Sequence, residues 1–439
     1  MSYPNAPLSA AESLADRGNN DVATDFAGTR TPLFKIAFKA GVLTVLTLGF
    51  YRFWMKTKLR RYYWSSIRPG GVPLEYMGQP IEKLLGFLIA VVFLAFYIGI
   101  VNLILMFASF AIFHGNVTAY VLSFIGVLPL LFYARYRARR YLLARTRWRG
   151  IRFGLEPGAW GYALRALFYW LLTICSLGLL WPLMTFQLEK YVTDRTYYGS
   201  LTLHQGGSFW ALFRPFLHML IPWLVTLAVV FAVVLSLPDL SRVEGMRDLM
   251  TKLFEDEIDL DIALRLAPLL VITIPWLLIG RLHYAVQSFR IMANLKQAGD
   301  LRFQAAPRTG RMLWIYCSGY TVTYLTLVVG LGVLLIVAAI ALLPMLGGAE
   351  VFGDVLLQGS QQVVPQAVAL GVSIASYFAI FVLWGVFEHI FVVLPRIRHY
   401  AETLKLIGDA GLPAVAQRAR DEFSEAEGFA EALDLGAAI

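Results

Sequence analysis

The chain carries one stretch twice. Residues 37–88 match a later stretch without a gap, at the constant offset that brings Tyr62 onto Tyr191. Leu43, Thr44, Leu48, Gly49 and Met55 fall on Leu172, Thr173, Leu177, Gly178 and Met184, while Gly70, Leu74 and Gly78 fall on Gly199, Leu203 and Gly207. Unrelated apolar segments share a few leucines by chance, but not a Tyr-x7-Gly-x3-Leu-x3-Gly run in one register. The sequence therefore reads as an internal repeat, and the fold is to be sought in its units. Gly49, Tyr62, Gly70 and Gly78 define the first copy, and Gly178, Tyr191, Gly199 and Gly207 the second.

Composition says where such units sit. Of 439 residues, 58% are hydrophobic and only 15% charged, with a mean hydropathy of +0.63. That is too little polar surface to coat a water-soluble globule of this size, so the chain reads as an all-α polytopic membrane protein. Its net charge of +9 fits the Lys/Arg excess of cytoplasmic loops rather than a nucleic-acid partner. Arg beside aromatic residues, as at Arg60 and Trp64, is the ordinary pattern of a membrane interface. Cys175 and Cys317 both lie in apolar stretches and offer neither a disulfide framework nor a metal site.

In chain order, residues 1–29 have no apolar run and predict a disordered cytoplasmic tail rather than a cleaved signal peptide. Three units follow, 30–135, 136–283 and 284–400, and then a cytoplasmic C-terminal tail, 401–439. The uncharged core of the first copy, 40–51, is about a dozen residues, short of the ~20 that cross hydrocarbon. Basic residues flank both its ends: Lys35 and Lys39 before, Arg52, Lys56 and Lys58 after. A span shows that excess on one side only, so the copy predicts a re-entrant or interfacial helical elbow. The second copy, 166–188, is uncharged over a length that could span. A crossing there would send the basic segments 281–311 and 396–398 outward, so it too reads as an elbow.

After each elbow the pattern turns short and extended. Arg68-Pro69-Gly70-Gly71 signals a turn before residues 72–76, and Tyr197-Tyr198-Gly199 introduces 201–203. Looser copies at 141–153 and 299–303 predict short cytoplasmic β-like segments that pair into a compact cap. About six spans complete the fold: 84–113, 118–132, 209–237, 263–279, 312–346 and 367–394, with both termini cytoplasmic.

The residues of the first elbow carry a resemblance. Phe34-Lys35-Ile36, then Leu43-Thr44-Val45-Leu46-Thr47-Leu48-Gly49-Phe50-Tyr51-Arg52-Phe53-Trp54, Lys56-Thr57-Lys58-Leu59-Arg60-Arg61-Tyr62 and Leu74-Glu75-Tyr76-Met77-Gly78 resemble the YjgN family of bacterial inner-membrane proteins. The resemblance covers about residues 28–400 and weakens in the second elbow, where Trp181-Pro182-Leu183 replaces the basic-aromatic run. The family is one of unknown function. The resemblance thus implies a multipass protein of the bacterial inner membrane and supplies no activity, cofactor or catalytic residue.

On their own the residues point to no enzyme. There is no phosphate loop, no His-Glu-x-x-His and no Gly-x-Ser-x-Gly, and no metal or cofactor is expected. Ionisable or amide groups inside spans are costly and so are candidate sites: Asn102, His218, Glu388 and His389. The plainer reading of each is preferred: access to water near the headgroups for His218, Glu388 and His389, and helix packing for Asn102. Arg60, Arg61, Arg139, Arg140, Arg145 and Arg147 form a cation layer suited to anionic lipid headgroups, or simply to setting topology. Pro222, Pro268 and Pro275 can break helix bonds at depth, as in transporter sites. A transporter or channel for a small solute is the preferred reading, with membrane lipids as partners. The alternative is a scaffold that organises anionic lipid without transport.

Overall fold

The computed structural model describes residues 21–113, 116–235, 260–342 and 366–418. The helices are α1 (Arg30–Leu46), α2 (Arg52–Ser66), α3 (Pro80–Phe113), α4 (Asn116–Ala144), α5 (Ala159–Cys175), α6 (Trp181–Thr193), α7 (Phe213–Leu235), α8 (Leu260–Asn294), α9 (Thr309–Leu342), α10 (Gln366–Glu388) and α11 (Leu394–Glu402). A π-turn at His389–Val393 links the last two. Proline opens several of them: Pro80 begins α3, and Pro182 and Pro395 sit in the first turns of α6 and α11. There the missing N–H is one that would have no intrahelical partner.

Four stretches among the described residues are long and apolar enough to cross a bilayer: Phe209–Ala232, Pro268–Asn294, Thr309–Ala341 and Leu370–Glu402. Six were expected. The other two, 84–113 and 118–132, lie in α3 and α4, whose side chains are described only in part. Large apolar side chains such as Ile272, Val329 and Phe381 stand exposed along these helices, which is the surface that lipid covers. The loops expected at 239–261 and 347–365 fall almost wholly outside the described residues.

Strand content exceeds the expectation of an all-α chain with β-like fragments. The fragments are strands of two antiparallel sheets: β1 (Asp21–Phe26), β2 (Ile67–Pro69), β3 (Leu74–Tyr76), β4 (Thr146–Trp148), β5 (Ile151–Leu155), β6 (Thr196–Tyr198), β7 (Leu201–Thr202), β8 (His204–Gln205), β9 (Lys296–Ala298), β10 (Leu301–Ala305) and β11 (Leu404–Ile407). One sheet has six strands in the order β2-β1-β11-β10-β9-β8, the other five in the order β3-β4-β5-β6-β7. No such strand is stable alone, so the cap exists because strands from along the described chain pair with one another. The alternation is regular: Val22 and Thr24, Trp148, Tyr198, Leu301 and Leu406 are buried, and Asp21, Glu75, Arg302 and Lys405 face out.

Two expected tails prove partly ordered. Residues 21–26, read as the end of a disordered tail, form β1, which pairs with β11 through Val22↔Leu406 and with β2 through Asp25↔Arg68. Residues 404–414, read as tail, supply β11 and a 3-10 turn whose Leu412 is buried in the cap core. In the sequence a lone short strand carries little signal, because its apolar residues become a pattern only beside their partners.

The two stretches read as elbows are each a helix, a tight turn and a second helix. In the first turn Leu48 and Gly49 have φ of 50° and 93°; in the second Leu177 and Gly178 have 52° and 91°. Gly49 N–H donates to Thr44 O at 2.7 Å, and Gly178 N–H to Thr173 O at 2.7 Å. Thr44 Oγ1 donates to Ala40 O and lies 3.9 Å from Met55 Sδ, while Thr173 Oγ1 donates to Tyr169 O and lies 3.8 Å from Met184 Sδ. The flanking strands are neighbours in both cases: β1 pairs with β2 around α1–α2, and β5 with β6 around α5–α6. The 17 residues of α5 rise about 25 Å, less than the ~30 Å of hydrocarbon.

Candidate functional site

Inside the cap, the inward residues of every strand except β8 leave a chamber of about 710 Å³. Its body is apolar, built from Trp148, Phe153, Tyr198, Leu301, Phe303 and Leu406. A second chamber of about 640 Å³ lies where α4, α6 and α8 enter the cap, and it is basic. Arg135 and Arg139 reach it from α4, Arg281 from α8 and Lys296 from β9, against the single carboxylate of Glu189 from α6. Arg139, Phe289 and Lys296 line both chambers, so the two meet there.

That meeting point is held by one carboxylate. Glu189 Oε2 accepts from Arg139 Nη1 at 3.2 Å and Oε1 accepts from Arg139 Nη2 at 3.3 Å, while Lys296 Nζ donates to Oε1 at 2.6 Å. Burial alone would raise the pKa of Glu189. The charges of Arg139 and Lys296 and their hydrogen bonds outweigh that and hold it down at about 2. The bridge thus ties α4, α6 and β9 together and occupies the two cations that face both chambers.

Two polar atoms buried within the wall of the cap chamber have no partner. Trp148 Nε1 and Thr24 Oγ1, on residues each 4% exposed, make no hydrogen bond, and both residues line the chamber. Buried polar atoms are rarely left so. Among the described residues no group of three or more His, Cys, Asp or Glu side chains could hold a metal ion.

The family profile described as "Bacterial protein of unknown function (DUF898)" matches residues 21–349, most of the chain. The chain belongs to the DUF898 family. Its YjgN-like elbow and its apolar helices agree with that assignment and make it a multipass protein of the bacterial inner membrane. No curated protein and no solved structure matches the chain. The match begins at β1 and stops before α10, yet β11, beyond it, lies between β1 and β10 in the sheet. The folded cap of this DUF898 protein therefore reaches past the matched segment.

The residues singled out in the sequence do not converge on one place. Asn102 lies in α3, and its side chain is outside the described residues. His218 of α7 packs edge-on against His283 of α8, ring centroids 4.8 Å apart. Glu388 accepts from Tyr320 OH at 3.3 Å, whereas His389 Nδ1 lies 3.1 Å from Tyr63 OH. Of the arginines, Arg60 is buried over the ring of Tyr76, Arg61 donates to Gly78 O and Arg140 to Leu155 O. Arg145 binds Glu82 through Nε and Nη2 at 3.1 and 2.9 Å. Arg147 lies in β4 opposite Arg152 of β5. Only Arg139 lines the chambers.

Tyr62 and Tyr191 have the same bond in the two copies. Tyr62 OH donates to Thr29 O, at the cap of α1, and Tyr191 OH donates to Gly158 O, at the cap of α5, at 3.0 Å. Each tyrosine thus pins the end of its elbow to the beginning. Sequence reasoning placed Arg135 in the cation layer but missed Glu189, Lys296, Arg281 and Trp148 as site residues. Glu189 left one trace: it is the only carboxylate in residues 157–193.

Proposed function

We propose that this DUF898 protein moves a small anionic solute between its membrane helices and the cap, without catalysis, with the two chambers as the passage. The observation that carries this reading is their shared wall of Arg139, Phe289 and Lys296, closed by Glu189. Cations lining a low-dielectric cleft focus the field and concentrate anions, and Arg and Lys rings select them in pores. An entering anion competes with Glu189 for both cations, and that exchange opens the neck. The chain is built on this reading from repeated elbow-and-hairpin units. Matching turn bonds at Gly49 and Gly178 support it, as do the matching tyrosine bonds.

The elbows are re-entrant in this picture. Each leaves one strand and returns in that strand's neighbour, and its tip is apolar and bare: Leu48 is 87% exposed and Leu177 65%. Such tips are costly in water and favourable in hydrocarbon. The cap lies on the cytoplasmic side, with both described chain ends in it. A scaffold that inserts these tips to organise anionic lipid is the second reading, and the same exposed leucines favour it.

Uptake of acetate, phosphate and octanoate into proteoliposomes decides between them. Transport predicts uptake of at least one anion above empty liposomes, falling at least tenfold in the Arg139→Gln, Lys296→Gln double variant. No uptake of any of the three by folded, reconstituted protein overturns transport in favour of the scaffold.

A further inference from the structure

We infer that the cap chamber binds the apolar portion of a single-chain amphipathic anion, a long-chain carboxylate or phosphate monoester, with its head at the neck. This deepens the passage reading and rests on it for the route, while occupancy is a matter of binding alone.

Three observations define the ligand. The chamber body is hydrocarbon and aromatic ring, so a bare inorganic anion would lose its hydration there for nothing in return. The charged lining is Arg139, Lys296 and Arg396, with Tyr316 and Tyr400 also in the wall; Glu189 bridges the first two, which leaves the lining a net positive charge for which a neutral oil has no use. At about 710 Å³ the chamber falls within the roughly 300–1,000 Å³ of small-ligand sites, a size for one chain and head rather than a two-chain phospholipid. Leu412, in the turn after β11, lines the chamber, and the chain beyond it is bonded to the β6–β7 hairpin by Ser200 N–H to Ala416 O at 2.9 Å. This strap lies across the β6–β7 hairpin and the edge of β5.

Full-length protein in phosphatidylcholine nanodiscs is irradiated with three diazirine probes: a C16 carboxylic acid, the matching C16 alcohol and a phosphatidylglycerol. Crosslinks are then mapped by mass spectrometry. The acid is expected to label β4, β6, β10 and β11 at least tenfold more than the alcohol. Leu406→Trp, which fills the chamber, should abolish that labelling and leave labelling of α7–α10 unchanged. Phe303→Trp serves the same purpose should the first variant not fold. Lys296→Gln should bring the acid down to the level of the alcohol. Acid labelling confined to the membrane helices, or equal labelling by the alcohol, overturns the proposal; cap labelling by phosphatidylglycerol instead of the acid overturns the single-chain assignment. Cap labelling without uptake in proteoliposomes removes the passage and keeps the site, whereas uptake without cap labelling does the reverse.

Discussion

Glu189 does at the residue scale what the arginine layer was expected to do with lipid: it decides where Arg139 points. Its carboxyl is held at about 2, below its ordinary 4.5. A depressed carboxylate contributes stability that is complete above its unfolded value and is lost as pH falls through its folded one. The Glu189 bridge should therefore be fully in force at pH 7 and vanish between about 4.5 and 2. Glu189→Gln should destabilise at pH 7 by an amount between the roughly 1 kcal/mol of exposed pairs and the roughly 3 kcal/mol of buried ones. Thermal unfolding of both proteins at pH 7, 5 and 3 checks this: the gap should be constant from 7 to 5 and shrink at 3. A gap unchanged at pH 3 would mean that Glu189 is not held by these cations. Arg139 was legible in the sequence because a run of arginines is conspicuous. Glu189 and Lys296 were not, because α6 and β9 meet only through the folded cap and neither residue has a charged cluster around it.

The elements show the same division between local and distant causes. Gly70 and Gly199 were legible as turns, and both have positive φ, 59° and 53°. Their surroundings were not legible, and they differ. A Cβ on Gly199 would lie 2.4 Å from Ala416 O, a backbone atom, whereas one on Gly70 would lie 2.9 Å from Val22 Cγ1, a methyl that can turn away. Any β-branched residue at either site carries a conformational cost of about 1–3 kcal/mol. Gly199→Val must in addition displace the strap that Ala416 and Gln417 bond to Ser200 and Arg152. It should therefore lower the melting temperature more than Gly70→Val and raise hydrogen exchange over residues 409–418, which Gly70→Val should leave unchanged. Equal exchange in the two variants would show that the strap does not depend on Gly199. Tyr191→Phe removes the bond to Gly158 O and keeps the ring that stacks with Tyr136 and Tyr162. It should cost about 1 kcal/mol, read as a smaller melting shift than either glycine variant. The two helix–turn–helix stretches were legible for a local reason, a glycine after an apolar run. Strands β1 and β8 were not, since their partners lie in other units.

At the scale of the whole molecule, the membrane class was legible from composition, but the closure of the chain on itself was not. The core of the cap takes Val22, Trp148, Tyr198, Leu301 and Leu406 from five different strands, and no stretch of sequence announces that these residues meet. Closure has a consequence for topology. The helix pairs α3–α4, α7–α8 and α9–α10 each leave one strand and return to another, and β1 and β11 are paired neighbours. On the proposed reading, in which each pair crosses out and back and the elbows are re-entrant, every described junction between helix and strand falls on one side of the bilayer, together with the exposed cations Arg302 and Lys405. The Lys/Arg bias of cytoplasmic loops predicts that this side is the inner one. Cys175 and Cys317 are both exposed, so the test begins with Cys175→Ser and Cys317→Ser. In that background Lys405→Cys in β11 and Ser200→Cys beside β7 should resist an impermeant maleimide added to intact cells and react once the cells are opened. Gly359→Cys, between α9 and α10, should react in intact cells. Ser200 and Lys405 belong to different sheets of one cap, and they must behave alike whatever the orientation. Reaction of both from outside, with Gly359 silent, would invert the molecule and leave its fold intact. Reaction of Ser200→Cys alone would place the second elbow across the membrane and break the pairing of β5 with β6 on which the cap is built.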